Sequence, residues 1–204
     1  MRTIWLLLCG VMVCFGAACT QKATFDHKKG EAMVEETSGN KKKDTPGGSP
    51  INYENAMKIM GERFGKDSLI AIATTDGKRL YNRIVDAYYE NGAFYVSTSA
   101  ASNKMKHIAI NPEVAIGAVD WFSGHGVGKN LGWVLEPQNA EIRAKLRKAF
   151  VWYDSANNEQ DKNCIILEIR LTDGMLIKDH HAIRYQIDFS NESALLSENW
   201  GAFV

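Results

Sequence analysis

Two short turns, Asp76-Gly77 and Asn91-Gly92, set between β-prone segments, constrain this chain of 204 residues more than any other feature. A two-residue loop needs backbone with positive φ, which Gly, Asn and Asp reach at least cost, and it can join only antiparallel neighbours. The flanking runs Ser68 to Thr75, Arg79 to Tyr89 and Ala93 to Thr98 are rich in β-branched and aromatic residues and largely alternate in polarity. They predict a three-stranded meander, and therefore a fold organised around an antiparallel sheet.

Helices fall in the gaps. Asn52 can cap a helix carrying Ala56, Ile59, Met60 and Phe64, with Gly65 as its stop. Ser102 can cap a shorter one with Met105, Ile108 and Ala109, ended by Asn111-Pro112. Strand character resumes from Glu113 to Phe122. The glycine-rich run Ser123 to Gly128 reads as a turn, and Asn130 to Leu135 as the returning strand. Pro137 opens a helix whose buried face is Ile142, Leu146, Ala149, Phe150 and Tyr153, followed by a polar loop, Asn157 to Asn163. A last hairpin is expected: Cys164 to Leu171, a turn at Thr172-Asp173-Gly174, and a strand from about Met175 that breaks near His180 and His181 before Arg184 to Phe189. The tail from Ser190 shows no period. Six or seven antiparallel strands with helices at the gaps favour a mostly β fold, a closed or split barrel with flanking helices, because closure removes exposed sheet edges.

The folded domain spans residues 51–204, and what precedes it is of another kind. Arg2 leads into an uncharged stretch from Thr3 to Ala18, too short for a comfortable membrane span but suited to a signal-peptide core, so residues 1–18 read as an export signal. It ends Gly16-Ala17-Ala18-Cys19, which resembles a bacterial lipobox with Cys19 as the lipidated first residue of the mature chain. Residues 19–50, with Lys41-Lys42-Lys43 and Pro46-Gly47-Gly48-Ser49-Pro50, carry little bulky apolar surface and read as a flexible tether with a reach of roughly 30 Å. The expected location is the bacterial cell envelope, membrane-anchored and facing the periplasm or the exterior.

Charge excludes one large class of partner. Lys and Arg number 24 and Asp and Glu number 24, so no net field favours nucleic acid. Of four cysteines only Cys164 lies beyond the first nineteen residues, which excludes an internal disulfide or a cysteine-rich metal site in the domain. Cys164 itself reads as a buried small hydrophobe.

Anion-binding chemistry concentrates at the end of the third strand. Phe94 to Lys104 reads as a strand, a hydroxyl-rich turn and a helix start bearing Ser102 and Lys104. Free N–H groups and the helix dipole favour an anion there, the hydroxyls can add hydrogen bonds, and Lys104 adds charge. Arg83, on the neighbouring strand, can complete a phosphate clamp.

The order of these parts is more specific than any one of them. An Arg on strand two, the Val96-Ser97-Thr98 strand, the turn to Ser102 and Lys104, an amphipathic helix and then Asn111-Pro112-Glu113-Val114-Ala115-Ile116 together resemble the pyridoxamine 5′-phosphate oxidase-like proteins, which share the FMN-binding split barrel. The resemblance runs from about Ile51 to Phe189. It implies FMN as cofactor, with Arg83, Ile84, Val85, Ser97, Thr98, Ser102, Asn103 and Lys104 at the cofactor site, Asn103 standing where many relatives have Arg. It further implies a homodimer with flavin sites at the subunit interface, and a small-molecule substrate with an electron donor. The Trp- and Arg-rich C-terminal stretch of the vitamin-oxidising members has no match after Phe189. The expected activity is therefore FMN-dependent reduction of a small acceptor, and the competing class is a non-catalytic surface lipoprotein carrying flavin, haem or no cofactor. Catalytic residues are not legible.

Two further stretches stand out. In Trp121 to Asn130 the glycines permit close backbone approach, and His125 or Lys129 could face a ligand. His180 and His181 suggest a metal or haem, but no further ligand stands at a recognisable spacing, and a surface loop is the expectation there. Trp121, Trp133 and Trp152 read as core.

Overall fold

The computed structural model describes residues 48–179 and 183–198. The export signal, Cys19 and all but the end of the tether lie outside the described residues, as do His180 and His181.

The elements follow in the order α1 (Pro50–Phe64), β1 (Ser68–Thr75), β2 (Leu80–Glu90), β3 (Ala93–Ser99), α2 (Asn103–Ile110), β4 (Glu113–Ala118), β5 (Phe122–Trp133), a 3-10 turn (Pro137–Asn139), α3 (Ala140–Ala149), α4 (Tyr153–Ala156), β6 (Cys164–Lys178), β7 (Ile183–Asp188) and β8 (Ser193–Ser197). Six strands close a barrel in the circuit β1-β2-β3-β6-β5-β4, every neighbouring pair antiparallel. The long strand β6 accounts for the split. Its first half pairs with β3, from Cys164 opposite Ser99 to Arg170 opposite Ala93. Its second half pairs instead with β7, which carries β8 on its other edge.

The meander forms as its turns require. Asn91 and Gly92 have φ of 48° and 76° between the paired Glu90 and Ala93, a primed two-residue turn. The loop at Asp76-Gly77 is longer than expected, since Thr75 pairs with Leu80. The Asp76 carboxylate accepts the N–H groups of Lys78 and Arg79 and the Tyr81 hydroxyl, which closes a four-residue connection.

The barrel interior is apolar. Alternate residues of each strand point inward, among them Ile70 and Ile72 of β1, Phe94 and Val96 of β3 and Ile165, Leu167 and Ile169 of β6. Helix α1 seals one end: Phe64 packs edge-on against Phe94 and Phe122, with ring centroids 5.7 Å and 6.1 Å away. This helix starts at Pro50 and not after Asn52, because proline suits the first helical position, where no N–H is needed. Helix α2 closes the other end with Met105 and Ile108. A second core of Leu146, Phe150, Tyr153, Cys164 and Ile166 lies under α3 and α4, so the start of β6 is buried on both faces and reads as a continuous apolar run. Cys164 is free and buried, as expected of a small hydrophobe.

Three further expectations change. The run Ser123 to Gly128 is not a turn but the beginning of β5, and the reversal falls at 119–121, where Trp121 has φ of 61°. Thr172-Asp173-Gly174 is likewise not a turn but the middle of β6. The two errors have one cause. Here β5 and β6 approach so closely that a Cβ on Gly126 would stand 2.7 Å from the Arg170 carbonyl oxygen, and a Cβ on Gly124 would clash with that of Asp173. The register slips by one residue between His125 and Gly126, which leaves Thr172 as the bulged position. The glycines mark a bulged close approach, not a reversal. The third change is β8: the tail adds a strand, whose residue Ala194 also bridges to Ser49.

Candidate functional site

The residues at the α2 end of the barrel come from four elements. Along β2 the period of two puts Tyr81, Arg83 and Val85 on the inner face, while Ile84 points outward and is 62% exposed. Beside them, Thr74 of β1 is opposite Tyr81, and Ile72 is opposite Arg83. Val85 packs against the barrel core. Helix α2 lies over this opening, with Lys104 in its first turn and His107 one turn later on the same side.

Arg83 and Lys104 meet here. Burial first, and then the charge of Arg83, hold the Lys104 ammonium below its ordinary range. Burial also lowers the Arg83 guanidinium. No carboxylate forms an ion pair with either among the described residues. Two cations thus stand together, partly desolvated and without a counter-ion among the described residues, an arrangement whose natural complement is an anion.

Ser102 takes the N-cap position with extended backbone, as its sequence context predicts, yet its side chain makes no capping bond. Its hydroxyl is buried without a hydrogen-bond partner among the described residues. A buried hydroxyl left unpaired costs free energy comparable to a lost hydrogen bond, so it too is suited to a ligand atom. The first-turn N–H groups of the helix precede its own hydrogen-bond ladder and add to the same end. Asn103 is exposed beside them.

The remaining candidates divide. Thr98 lies on the inner face of β3 with Phe94 and Val96, and Ser97 on the outer face. The Ser97 hydroxyl donates to Asn157 Oδ1 at 2.7 Å, and Asn157 in turn donates from its amide to the Tyr153 carbonyl at 2.9 Å. Both Ser97 and Thr98 line a cavity of about 380 Å³ whose other wall is Trp152, at the start of α4, and the α4 to β6 loop, including Asn158 and Asp161. The candidates therefore fall in two places, a cationic end at α2 and a polar cavity at the end of β3.

Sequence reasoning missed Thr74, Tyr81, His107 and Asn157. A two-residue turn at Asp76-Gly77 would set Thr74 opposite Arg79, and only the four-residue connection brings Tyr81 there, whereas Asn157 sits in a polar loop whose course no periodicity sets. His125 is not on a loop: it stands on β5 with Nδ1 2.8 Å from Asp173 Oδ1, in a groove of about 560 Å³ with Ser123 and Gln186. Lys129 is exposed further along the same strand. Trp133 and Trp152 pack against the second core, while Trp121 is 42% exposed.

The architecture recurs in solved structures. A haem-binding protein from Mycobacterium smegmatis superposes with a TM-score of 0.52 at 13% identity, covering 69% of this chain and 59% of that one. General Stress Protein 26 from Bacillus anthracis gives 0.47 at 14% identity, covering 60% of this chain and 94% of that one. A FAD-binding protein from Mesorhizobium loti gives 0.46 at 11% identity, over 57% and 90%. The likeness is one of fold. No protein-family model matches the sequence, and no curated protein does.

Proposed function

We propose that this chain is an exported, lipid-anchored FMN-dependent oxidoreductase of the pyridoxamine 5′-phosphate oxidase-like kind, acting on a small acceptor. The observation that carries the reading is the pair Arg83 and Lys104 beside the unpartnered Ser102 hydroxyl at the start of α2. A terminal phosphate fits those residues: its two negative charges match the two cations, and its oxygens accept from Ser102 Oγ and the first-turn N–H groups. Bound there, the flavin would supply hydride transfer between a reduced nicotinamide or similar donor and the acceptor. The chain's own part is to hold and orient. Arg83, Lys104 and Ser102 fix the phosphate end, Val85 and Thr98 offer the adjoining positions of β2 and β3, and the Ser97 hydroxyl, whose proton goes to Asn157 Oδ1, offers lone pairs to a donor group on the ligand.

Two parts of the reading concern assembly. The outer face of β1, β2 and β4 sets the exposed Leu69, Leu80 and Ile84 around the small residues Ala71, Ala73, Ala115 and Gly117, with Asn82 and Asp86 between them, a face of mixed but largely apolar character that supports a homodimer. Attachment to a membrane through Cys19 rests on the sequence, and no helix among the described residues is long and apolar enough to cross one.

The absorption spectrum of the purified protein tests the cofactor. Flavin bands are expected; a Soret band or a featureless visible spectrum after incubation with FMN overturns the reading. Oxidation of an added nicotinamide donor then separates an enzyme from a carrier.

A further inference from the structure

Arg83 does not stand at the barrel mouth unaided. Its Nη1 donates to Thr74 Oγ1 at 2.7 Å, and the same oxygen lies 3.0 Å from Nδ1 of His107. Thr74 is 2% exposed and His107 8%, so the contact between them is buried, while that from Arg83 is partly buried. Met105 and Ile108, anchored in the core on either side of His107 along α2, fix the depth of the imidazole. The Tyr81 ring lies against it, with centroids 4.6 Å apart, and the Tyr81 hydroxyl is itself tied to Asp76.

Proton accounting gives the direction of the chain. A guanidinium can only donate, so one lone pair of Thr74 Oγ1 is taken by Arg83. The threonine has one proton to place, and His107 Nδ1 is the other partner of that oxygen among the described residues. If Nδ1 carried a hydrogen, the buried threonine proton would lack an acceptor among the described residues, and a buried donor left unpaired is unfavourable. With Nδ1 bare, both contacts at that oxygen have one donor and one acceptor: Arg83 N–H to Thr74 Oγ1, and Thr74 O–H to His107 Nδ1. Such a head-to-tail chain polarises itself, and it leaves the imidazole neutral with its proton on Nε2.

We infer that His107 is a positioning residue for the anion site: by accepting from Thr74 it fixes the hydroxyl lone pair that holds the Arg83 guanidinium beside Lys104. Without that restraint two like charges would separate, and the ligand would have to bring them together again on binding. The inference rests on the flavin-phosphate reading for its ligand, but not for its geometry.

Two measurements keep those apart. In the first, FMN and riboflavin are titrated into the wild type and into His107→Phe, Thr74→Val and Thr74→Ser. The phenylalanine keeps a ring against Tyr81 and removes the acceptor; the valine removes the relay hydroxyl; the serine keeps it. FMN affinity is expected to fall about tenfold in His107→Phe and Thr74→Val, to stay within about twofold in Thr74→Ser, and to fall no further in the double variant than in Thr74→Val alone, because the two residues act in series. Riboflavin affinity should hold throughout. Equal losses for both ligands, or unchanged FMN affinity, overturn the positioning role. In the second, side-chain ¹⁵N NMR of the ligand-free protein should show His107 Nδ1 unprotonated and Nε2 protonated, with the Arg83 guanidinium signals moving in Thr74→Val. A protonated Nδ1 overturns the relay. If the wild type binds no FMN, the flavin reading falls, and the NMR result alone decides whether His107 holds Arg83.

Discussion

Lys104 and Arg83 share the barrel mouth as two partly buried cations, and burial first, then the charge of Arg83, lowers the proton affinity of the Lys104 ammonium. This fixes a pH dependence. Between the lowered pKa of Lys104 in the folded chain and its ordinary value of 10.5, the unfolded chain holds more protons than the folded one. Stability of the ligand-free protein therefore gains from this group as pH rises through that interval.

Ligand binding has the opposite sign. A phosphate beside Lys104 favours the ammonium, so FMN binding takes up a proton in the same alkaline interval and weakens as pH rises. Calorimetry in buffers of different ionisation enthalpy should find proton uptake with FMN that exceeds uptake with riboflavin. Equal uptake for the two would place the anion elsewhere.

The bulged approach of β5 and β6 makes a prediction about stability. Gly124→Ala and Gly126→Ala drive a methyl group into the backbone of β6 and should each destabilise the fold by about 1–3 kcal/mol or more. Gly61→Ala, in α1 with open space around the added methyl, should instead stabilise by about 0.5–1 kcal/mol. Urea unfolding measures both; tolerance at Gly124 and Gly126 would mean that the two strands do not approach in this way.

The same stretch explains what could be read from the sequence. The meander was legible because alternation and turn chemistry are local, and Asn91-Gly92 forms the expected turn in the expected place. Ser102, Lys104 and Arg83 were legible because a helix start and a strand position are also local. Gly124, Gly126 and the Thr172 to Gly174 run were misread because glycine has two uses: it permits a reversal, and it permits close approach of another backbone. Only the partner strand distinguishes them, and that partner lies about fifty residues away, at Asp173 for His125. The tie between Thr74 and His107 was hidden for the same reason, since it joins a strand to a helix across the barrel mouth.

Anchoring has its own test. If Cys19 is the acylated first residue, Cys19→Ala should move the protein from the membrane to the soluble fraction, because the lipid chains supply most of the affinity for the bilayer. Membrane association that survives the substitution contradicts the lipoprotein reading.

The most direct test of the central claim compares FMN with riboflavin, which differ by the phosphate alone, in Arg83→Ala and Lys104→Ala. Each side chain supplies a charge-assisted hydrogen bond of about 1.5–3 kcal/mol, or about ten- to a hundredfold in affinity. FMN affinity should fall by that factor in either variant while riboflavin affinity stays near its wild-type value. Wild-type FMN affinity in both variants, or losses equal for the two ligands, would contradict the assignment of the α2 end of the barrel as a flavin phosphate site.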